Sequence, residues 1–268
     1  MGGELVRQAS EAGWRVVATT RSGESGTVAL DLSDRESVRQ VAGQIEEPSV
    51  IVHCASSGRG GEEAYRAVFE EGVEKILESF PHVPLIFVSS SSVYAQVDGE
   101  HVTEESEASP TRETGRILRR AEALVSRAGG TVARLAGIYG PGRSVLLKRL
   151  LTGQAEIEED GRRIINQIHQ YDAASALLFL AEQQLEGQSK GETYNVSDSH
   201  PRSQKQTYVG LCSLLELPLP PVGKRDLNRK RGWTHKAVQN GKLCEAGWEP
   251  QYADFLDAAL EVVKTLDY

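Results

Sequence analysis

The pattern that most constrains this chain is an alternation of short β-branched segments with longer amphipathic ones over about 140 residues. A strand is predicted at 131–135, for example, just after a helix from about 112 to 127. Strands and helices that alternate in this way form a mostly parallel, doubly wound α/β sheet. We therefore expect a sheet domain of this kind. Because the remaining sequence is less regular, we also expect a smaller C-terminal lobe.

The same pattern predicts how the chain divides between these two parts. Residues 1–140 are expected to form the sheet domain, with the segment 164–198 returning to it. The smaller lobe is expected to contain 141–163 and 199–268, where a Pro-rich stretch and two terminal helices are predicted. One of these helices is predicted at about 234–246.

Polar residues follow directly after one strongly apolar strand. The run Leu85–Val88 ends in four serines, residues 89–92, and an aromatic residue, Tyr94. A parallel strand delivers such groups to the carboxyl edge of the sheet, where ligands bind in open α/β folds. This stretch is therefore the first candidate for a functional site, and Ser90 is its leading residue.

Composition excludes several classes of protein. The chain has 268 residues, 39% of them hydrophobic, and a formal net charge of −8, which disfavours a general nucleic-acid or membrane-surface binder. Its three cysteines are widely spaced without a CxxC pair, so we expect a reduced, cytoplasmic setting and no metal site. The sequence has no apolar run near 18 residues and no basic-then-apolar signal region.

The first residues of the sequence fit the end of a Gly-rich turn. Met1-Gly2-Gly3 is followed by a helix, a strand and Asp31-Leu32, in the order that follows such a turn in dinucleotide-binding folds. On this reading the first strand and the first two glycines are absent, and we expect either an upstream start or weak cofactor binding. The alternative is that the two glycines have no special role.

Six short segments, in this order and spacing, resemble the extended short-chain dehydrogenase/reductase family, and in particular its NAD(P)-dependent epimerase/dehydratase group. The similarity is strongest to atypical nucleoside-diphosphate-sugar epimerase-like members. The segments are 31–32, 52–55, 88–94, 134–142, 166–169 with Asp172, and 194–198. The resemblance implies a Rossmann-like fold for the sheet domain.

The resemblance implies a dinucleotide along the carboxyl edge of the sheet. The residues it assigns to cofactor binding are Gly2, Thr20, Arg21, Asp31, Leu32, Cys54 and Ala55. An acidic residue at the end of the second strand binds the ribose 2′-hydroxyl of NAD, whereas an arginine suits the 2′-phosphate of NADP. Arg21 therefore favours NADP, with NAD as the second choice. The alternative is that Arg21 is a solvated surface charge.

The family's catalytic serine, tyrosine and lysine are only partly present. Ser90 matches the serine position, but the tyrosine and lysine positions hold Thr114 and Leu118, and the sequence contains no Tyr-x-x-x-Lys. A threonine hydroxyl ionises far above neutrality and a leucine carries no charge, so ordinary hydride-transfer chemistry is in doubt. Tyr94 is a further candidate acid, although the resemblance implies a structural role for it.

The resemblance also implies a substrate side, made of Gly137, Tyr139, Arg143 and His169. For His169 the alternative is a hydrogen-bonded structural histidine, and for Arg143 it is a solvated loop charge. A basic cluster (Lys224, Arg225, Arg229, Lys230, Arg231 and Lys236) is either a solvated face or a receptor for a diphosphate.

Two functions remain open. The first is an epimerase, dehydratase or reductase that acts on a nucleotide sugar or a related hydroxyl or carbonyl compound, with unusual acid/base groups. The second is a catalytically silent NADP-binding sensor or partner protein. Under either function, the expected partner of the protein is a small molecule and not nucleic acid or a membrane. The protein is expected to be a homodimer or a monomer.

Overall fold

The computed structural model describes residues 1–58, 60–225 and 233–268 of the chain. Its α-helices are α1 Gly2–Glu11, α2 Arg35–Gln44, α3 Glu62–Tyr65, α4 Glu71–Ser79, α5 Glu113–Arg127, α6 Val145–Leu151, α7 Gln170–Leu185, α8 Gln204–Leu215, α9 Gly241–Glu245 and α10 Ala259–Val263. Its strands are β1 Thr19–Thr20, β2 Val28–Ala29, β3 Ile51–His53, β4 Leu85–Ser90, β5 Glu100–Val102, β6 Thr131–Leu135, β7 Gly137–Tyr139, β8 Ile157–Glu158, β9 Ile164–Ile165, β10 Gln167–His169, β11 Thr193–Val196, β12 Arg202–Ser203, β13 Val222–Gly223 and β14 Lys236–Val238.

The described residues divide into two compact units. The first contains residues 1–93, 110–134 and 174–194, and the second contains 94–109, 135–173 and 195–268. A four-stranded sheet has the order β11-β6-β4-β3, and β3 pairs with β4 in parallel, Ile51 opposite Leu85. This confirms the predicted α/β class with a parallel sheet.

Strand β3 forms one edge of this sheet, and the two strands that precede it in the chain lie in a different sheet. Strands β1 and β2 pair in parallel as a separate two-stranded sheet, and in the described part of the chain β3 pairs only with β4. Val16 and Val17, just before β1, are 37% and 48% exposed. The outer edge of β3 and the outer edges of the β1–β2 pair therefore have no strand partner in the described structure.

The strand that carries the serines lies at the centre of the first unit. Leu85, Ile86 and Phe87 are almost completely buried, as expected for a central strand that is covered on both faces. Next to it, α5 buries one apolar face and also one carboxylate, that of Glu122. Buried helix carboxylates are rare and require a partner, which the first unit provides in Arg134 at 2.7 Å.

Several short sheets and a helical core make up the second unit. Strand β7 pairs in parallel with β10, placing Tyr139 opposite His169. The apolar core of this unit lies between α6, α8 and the C-terminal segment around Phe255 and Val262. Helix α8 begins with a capping box, in which Ser203 and Gln206 satisfy each other's backbone N–H groups.

The prediction of a helix at about 234–246 is wrong. Lys236–Val238 forms β14, which pairs in parallel with β5 (Glu100–Val102), and only Gly241–Glu245 is helical. The partner strand lies more than a hundred residues away in the chain, so a local pattern could not reveal it.

The helical stretch that contains α3 and α4 is interrupted. Residues Arg66–Glu70 form a π-helical turn between α3 and α4. The ring Nε2 of His53 lies 3.1 Å from the Val68 carbonyl oxygen and donates to it, within that turn. None of the described helices is both long enough and apolar enough to cross a membrane.

Candidate functional site

The start of α1 lies against the end of β3. A Cβ atom at Gly2 would be 3.7 Å from the Cys54 sulfur, which shows how closely the helix start approaches the strand end. The N-cap residue of this helix is Met1, whose side chain makes no capping hydrogen bond, so the first N–H groups gain no acceptor from it. Burial raises the pKa of the Cys54 thiol, which therefore stays protonated, and Ala55 beyond it is exposed. The structure thus brings together three of the predicted cofactor residues.

The ends of β1 and β2 carry the other predicted cofactor residues. Thr20 lies 2.7 Å from the Thr27 hydroxyl and accepts a hydrogen bond from the Gly23 N–H at 3.0 Å. Asp31 Oδ1 accepts hydrogen bonds from the backbone N–H and the hydroxyl of Ser33, at 2.9 and 2.6 Å.

These bonds from Ser33, and then the nearby charges of Arg21 and Lys75, lower the pKa of Asp31. Arg21 is exposed and forms no ion pair among the described residues, so its guanidinium is open to solvent beside an ionised carboxylate. Leu32 is half-buried, and its carbonyl oxygen accepts a hydrogen bond from Lys75 at 3.2 Å.

Two adjacent serines at the end of β4 have different environments. Ser89 is buried, and its hydroxyl donates to Glu122 Oε1 at 2.5 Å. Ser90 is half-buried, and its Oγ accepts a hydrogen bond from the Ser92 N–H at 3.2 Å. The hydrogen of the Ser90 hydroxyl therefore remains available to a ligand, whereas that of Ser89 is used internally. Residues Ser91–Val93 continue as a 3₁₀ turn.

Thr114 and Leu118 lie one turn apart near the start of α5. Thr114 is half-buried in the first turn, and Leu118 is 3% exposed. The side chain predicted to stand at the family's lysine position is thus packed and apolar. Arg116 lies between them but is exposed, and it pairs with Glu113 at 3.5 Å.

Tyr94 is held at both ends within the second unit. Its ring is completely buried, its hydroxyl donates to Asn195 Oδ1 at 2.9 Å, and its carbonyl oxygen accepts from Lys236 at 2.8 Å. This geometry favours the structural role that the resemblance implied over an acid role. Asn195 belongs to a segment that already carried the resemblance, but no sequence signal identified Lys236 as a partner of Tyr94.

Tyr139 and His169 form an aromatic cluster in the second unit. Their rings are 5.1 Å apart, Tyr139 also contacts Phe255, and His169 contacts Tyr252 at 4.1 Å. The Tyr139 hydroxyl is buried without a hydrogen-bond partner among the described residues. Burial, and then the negative charge of Asp198, raise its pKa, so the phenol stays neutral.

His169 Nδ1 accepts a hydrogen bond from the Tyr171 N–H at 3.3 Å. This fixes the tautomer with the proton on Nε2. The strand β7 beside it is tightly packed, because a Cβ at Gly137 would be 3.1 Å from the Asn166 carbonyl oxygen. Arg143 is exposed on the loop after β7, and only its backbone is fixed, by two bonds to Gly140.

A cavity of about 380 Å³ lies elsewhere in the second unit. Its charged walls include three ion pairs, Arg163 with Glu158 at 3.1 Å, Arg225 with Glu159 at 2.8 Å and Arg162 with Asp160, and also Asp98. Arg225 also stacks over the Trp233 ring at 4.0 Å. Of the predicted basic cluster, Arg225 is therefore paired and Lys236 is buried, while Arg229, Lys230 and Arg231 lie outside the described residues.

No group of three or more acidic, histidine or cysteine side chains suited to a metal ion occurs among the residues that the structure describes.

The model of one family, described as RmlD substrate binding domain, matches residues 1–207. No curated protein matches the sequence.

Solved structures match almost the whole chain. A dTDP-glucose 4,6-dehydratase from Bacillus anthracis, in complex with NAD, is 18% identical, with a TM-score of 0.78 and coverage of 98% of this chain and 92% of that one. A UDP-glucose 4-epimerase from Thermotoga maritima, with UDP-glucose, is 20% identical, with a TM-score of 0.80 and coverage of 98% and 96%. A functionally unknown conserved protein from Silicibacter pomeroyi is 25% identical, with a TM-score of 0.69 and coverage of 97% and 95%. The fold is therefore that of the epimerase/dehydratase group, as the resemblance predicted.

Proposed function

The chain belongs to the RmlD substrate binding domain family, and on this premise we propose that it is an NAD(P)-binding, epimerase/dehydratase-like protein acting on a nucleotide sugar. A related compound with a hydroxyl or carbonyl group is equally compatible with the proposal. The observation that carries it is the uncapped start of α1 lying against the end of β3, because such a helix start accepts a phosphate. The solved structures of similar fold include one bound to NAD and one bound to UDP-glucose, which supports both parts of the proposal.

The residues at the ends of β1 and β2 fit a dinucleotide. Asp31 Oδ2 has no partner among the described residues, so this oxygen can accept a hydrogen bond from an adenine amine. The exposed guanidinium of Arg21 can pair with a 2′-phosphate, and for this reason we propose NADP ahead of NAD. When bound, the nicotinamide would supply hydride transfer to or from the substrate.

Side chains of the protein would then orient the substrate. Ser90 has a free hydroxyl hydrogen and would donate it to the reacting oxygen, and Thr114 would be a second donor. In the second unit, the neutral Tyr139 and the ring of His169 would form an apolar surface with polar edges, and the exposed Arg143 would pair with a diphosphate.

A second candidate function is supported by Leu118. Its side chain is 3% exposed and occupies the place of the cation that would lower the pKa of an acid/base tyrosine. Without that cation and that tyrosine, the protein would bind NADP as a sensor or regulatory partner and catalyse nothing.

Two measurements on the purified protein test these proposals. Calorimetric titration with NADPH and NADH is expected to show binding of both, with NADPH the tighter ligand. Failure of a well-folded chain to bind either dinucleotide would refute the proposed cofactor site. Incubation with a panel of nucleotide sugars, followed by mass spectrometry and NADPH absorbance, separates the enzyme from the silent binder. Turnover supports the first function, and dinucleotide binding without any turnover supports the second.

A further inference from the structure

Lys236 is a buried cation with no carboxylate partner in the described part of the chain. Its side chain belongs to β14 and is 3% exposed, and it forms no ion pair among the described residues. Its ammonium donates to the Tyr94 carbonyl oxygen at 2.8 Å and to the Thr234 hydroxyl at 3.0 Å. Burying an ammonium costs free energy, so a buried lysine bonded to a backbone carbonyl requires an explanation.

The strand that carries Lys236 also fixes the other end of Tyr94. The Tyr94 hydroxyl donates to Asn195 Oδ1, and Asn195 Nδ2 in turn donates to the Gln239 carbonyl oxygen at 3.1 Å, one residue past β14. The strand itself is held by Asn166, which accepts from the Val238 N–H at 2.8 Å and donates to the Lys236 carbonyl at 2.9 Å. Tyr94 is therefore clamped by its backbone and by its hydroxyl, and both clamps depend on β14.

We infer that Lys236 is a positioning residue for the serine turn, defined here as Ser90–Tyr94, and that it acts by fixing the carbonyl at the C-terminal end of this turn. The significance of the turn rests on the proposed function, in which Ser90 contacts the substrate. The contact between Lys236 and Tyr94 does not depend on that proposal. A charge-assisted bond to a carbonyl is stronger than a neutral one, which gives the ammonium an advantage over any uncharged side chain here.

The charge of Lys236 can be removed by raising the pH. Burial, and then the nearby charge of Arg163, lower its pKa to about 8. The strands packed against β14 are β5 and β9, and their charged or titratable groups are Glu100 and His101, with Arg163 just before β9 and His235 just before β14. The ammonium is thus present below pH 8 and lost above it, whereas exposed lysines keep their charge to well above that pH.

Hydrogen exchange of the serine turn tests this inference in the full-length chain. Protection factors for the amides of residues 90–96 are measured by mass spectrometry in the wild type, Lys236→Met, Lys236→Arg and the control Lys264→Met, whose lysine is exposed. We expect Lys236→Met to lower the protection of the turn about tenfold at neutral pH, and the control to leave it unchanged. In the wild type, protection falls as the pH rises through about 8. In Lys236→Arg it persists at about pH 9.5, where arginine stays charged.

Equal protection in Lys236→Met and the control, or a wild-type profile that does not change across pH 8, overturns the inference. If Lys236→Met does not fold, the pH series of the wild type and of Lys236→Arg still decides. Titration of the same proteins with NADPH is a separate measurement, of dinucleotide binding. Absence of dinucleotide binding by the wild type refutes the proposed function, but the exchange data still show whether Lys236 holds the turn.

Discussion

The buried carboxylate of Glu122 bonds to three side chains of the first unit. It accepts hydrogen bonds from the Ser89 hydroxyl and from two nitrogens of Arg134, at 3.1 and 2.7 Å, and it also pairs with Arg119. The side chains of Glu122 and Arg134 are 2% and 4% exposed. These bonds fix the strand residue that directly precedes Ser90, so they give the candidate site a rigid base.

We predict that Glu122→Gln destabilises the protein by about 3 kcal/mol, because it leaves the buried Arg134 guanidinium without a full counter-charge. Urea unfolding followed by circular dichroism measures the loss. Glu182→Gln, in an exposed position of α7, is the control and is expected to change the midpoint little. A midpoint for Glu122→Gln that equals that of the control would show that the pair contributes no stability.

Arg21 decides the proposed preference for NADP. We predict that Arg21→Ala weakens NADPH binding about tenfold and changes NADH binding little, because only NADPH carries the 2′-phosphate that the guanidinium would contact. Calorimetric titration of both dinucleotides measures the two effects. Arg39→Ala, which removes an exposed charge from α2, controls for general electrostatics. Equal weakening of NADPH binding and NADH binding would instead mean that Arg21 contacts a part of the cofactor that the two dinucleotides share.

At the level of elements, the capping box of α8 is expected to contribute to the stability of the protein. The Ser203 hydroxyl accepts from the Gln206 N–H at 3.2 Å, and Gln206 Oε1 accepts from the Ser203 N–H at 2.9 Å. Ser203→Ala removes the first of these bonds and is expected to cost about 1 kcal/mol of stability.

Ser213→Ala is the matched control, because Ser213 is exposed within the same helix and alanine has the higher helix propensity. The two changes should therefore shift the urea midpoint in opposite directions. A gain in stability for both would mean that the box contributes nothing beyond helix propensity.

Elements whose signals are local were predictable from the sequence. The strand at Thr131–Leu135 and the helix α5 (Glu113–Arg127) follow from apolar spacing and β-branched content within the segments themselves. The π turn at Arg66–Glu70 and the strand β14 were not predictable, because each involves a residue distant in the chain, His53 in one case and the partner strand β5 in the other.

The same distinction applies to the candidate site. Ser90 could be placed at a strand end from the apolar run before it, whereas the contact of Lys236 with Tyr94 depends on the pairing of β14 with β5. Lys236 therefore looked like one member of a basic surface cluster, although it is buried.

At the level of the whole molecule, the distribution of charge predicts how stability depends on pH. The chain is acidic, with a net charge of −8, and the second unit buries four carboxyl groups, those of Glu158, Asp172, Asp198 and Asp254. Glu158 pairs with Arg163 at 3.1 Å. Asp254 pairs with Arg202, and Asp172 accepts two backbone N–H groups at 2.8 and 3.0 Å. The Oδ1 atom of Asp198 has no partner among the described residues.

Burial, and then the negative charge of Asp254, raise the pKa of Asp198 well above its ordinary value. The folded protein therefore holds a proton on Asp198 at pH values where the unfolded chain has released it. The contribution of this raised pKa to the stability of the fold is complete below the pKa of Asp in the unfolded chain, about 4. It is lost as the pH rises through the pKa of Asp198 in the folded protein.

We predict that Asp198→Asn, which mimics the protonated form, raises the melting temperature at alkaline pH and leaves it unchanged at about pH 4. Scanning calorimetry from acid to alkaline pH measures the difference between variant and wild type, which should grow as the pH rises. Asp267→Asn, at the exposed C-terminal end, controls for the change in net charge. A variant less stable than the wild type at alkaline pH would instead mean that Asp198 is ionised and held by the nearby Arg202, since the uncharged amide would forfeit that attraction.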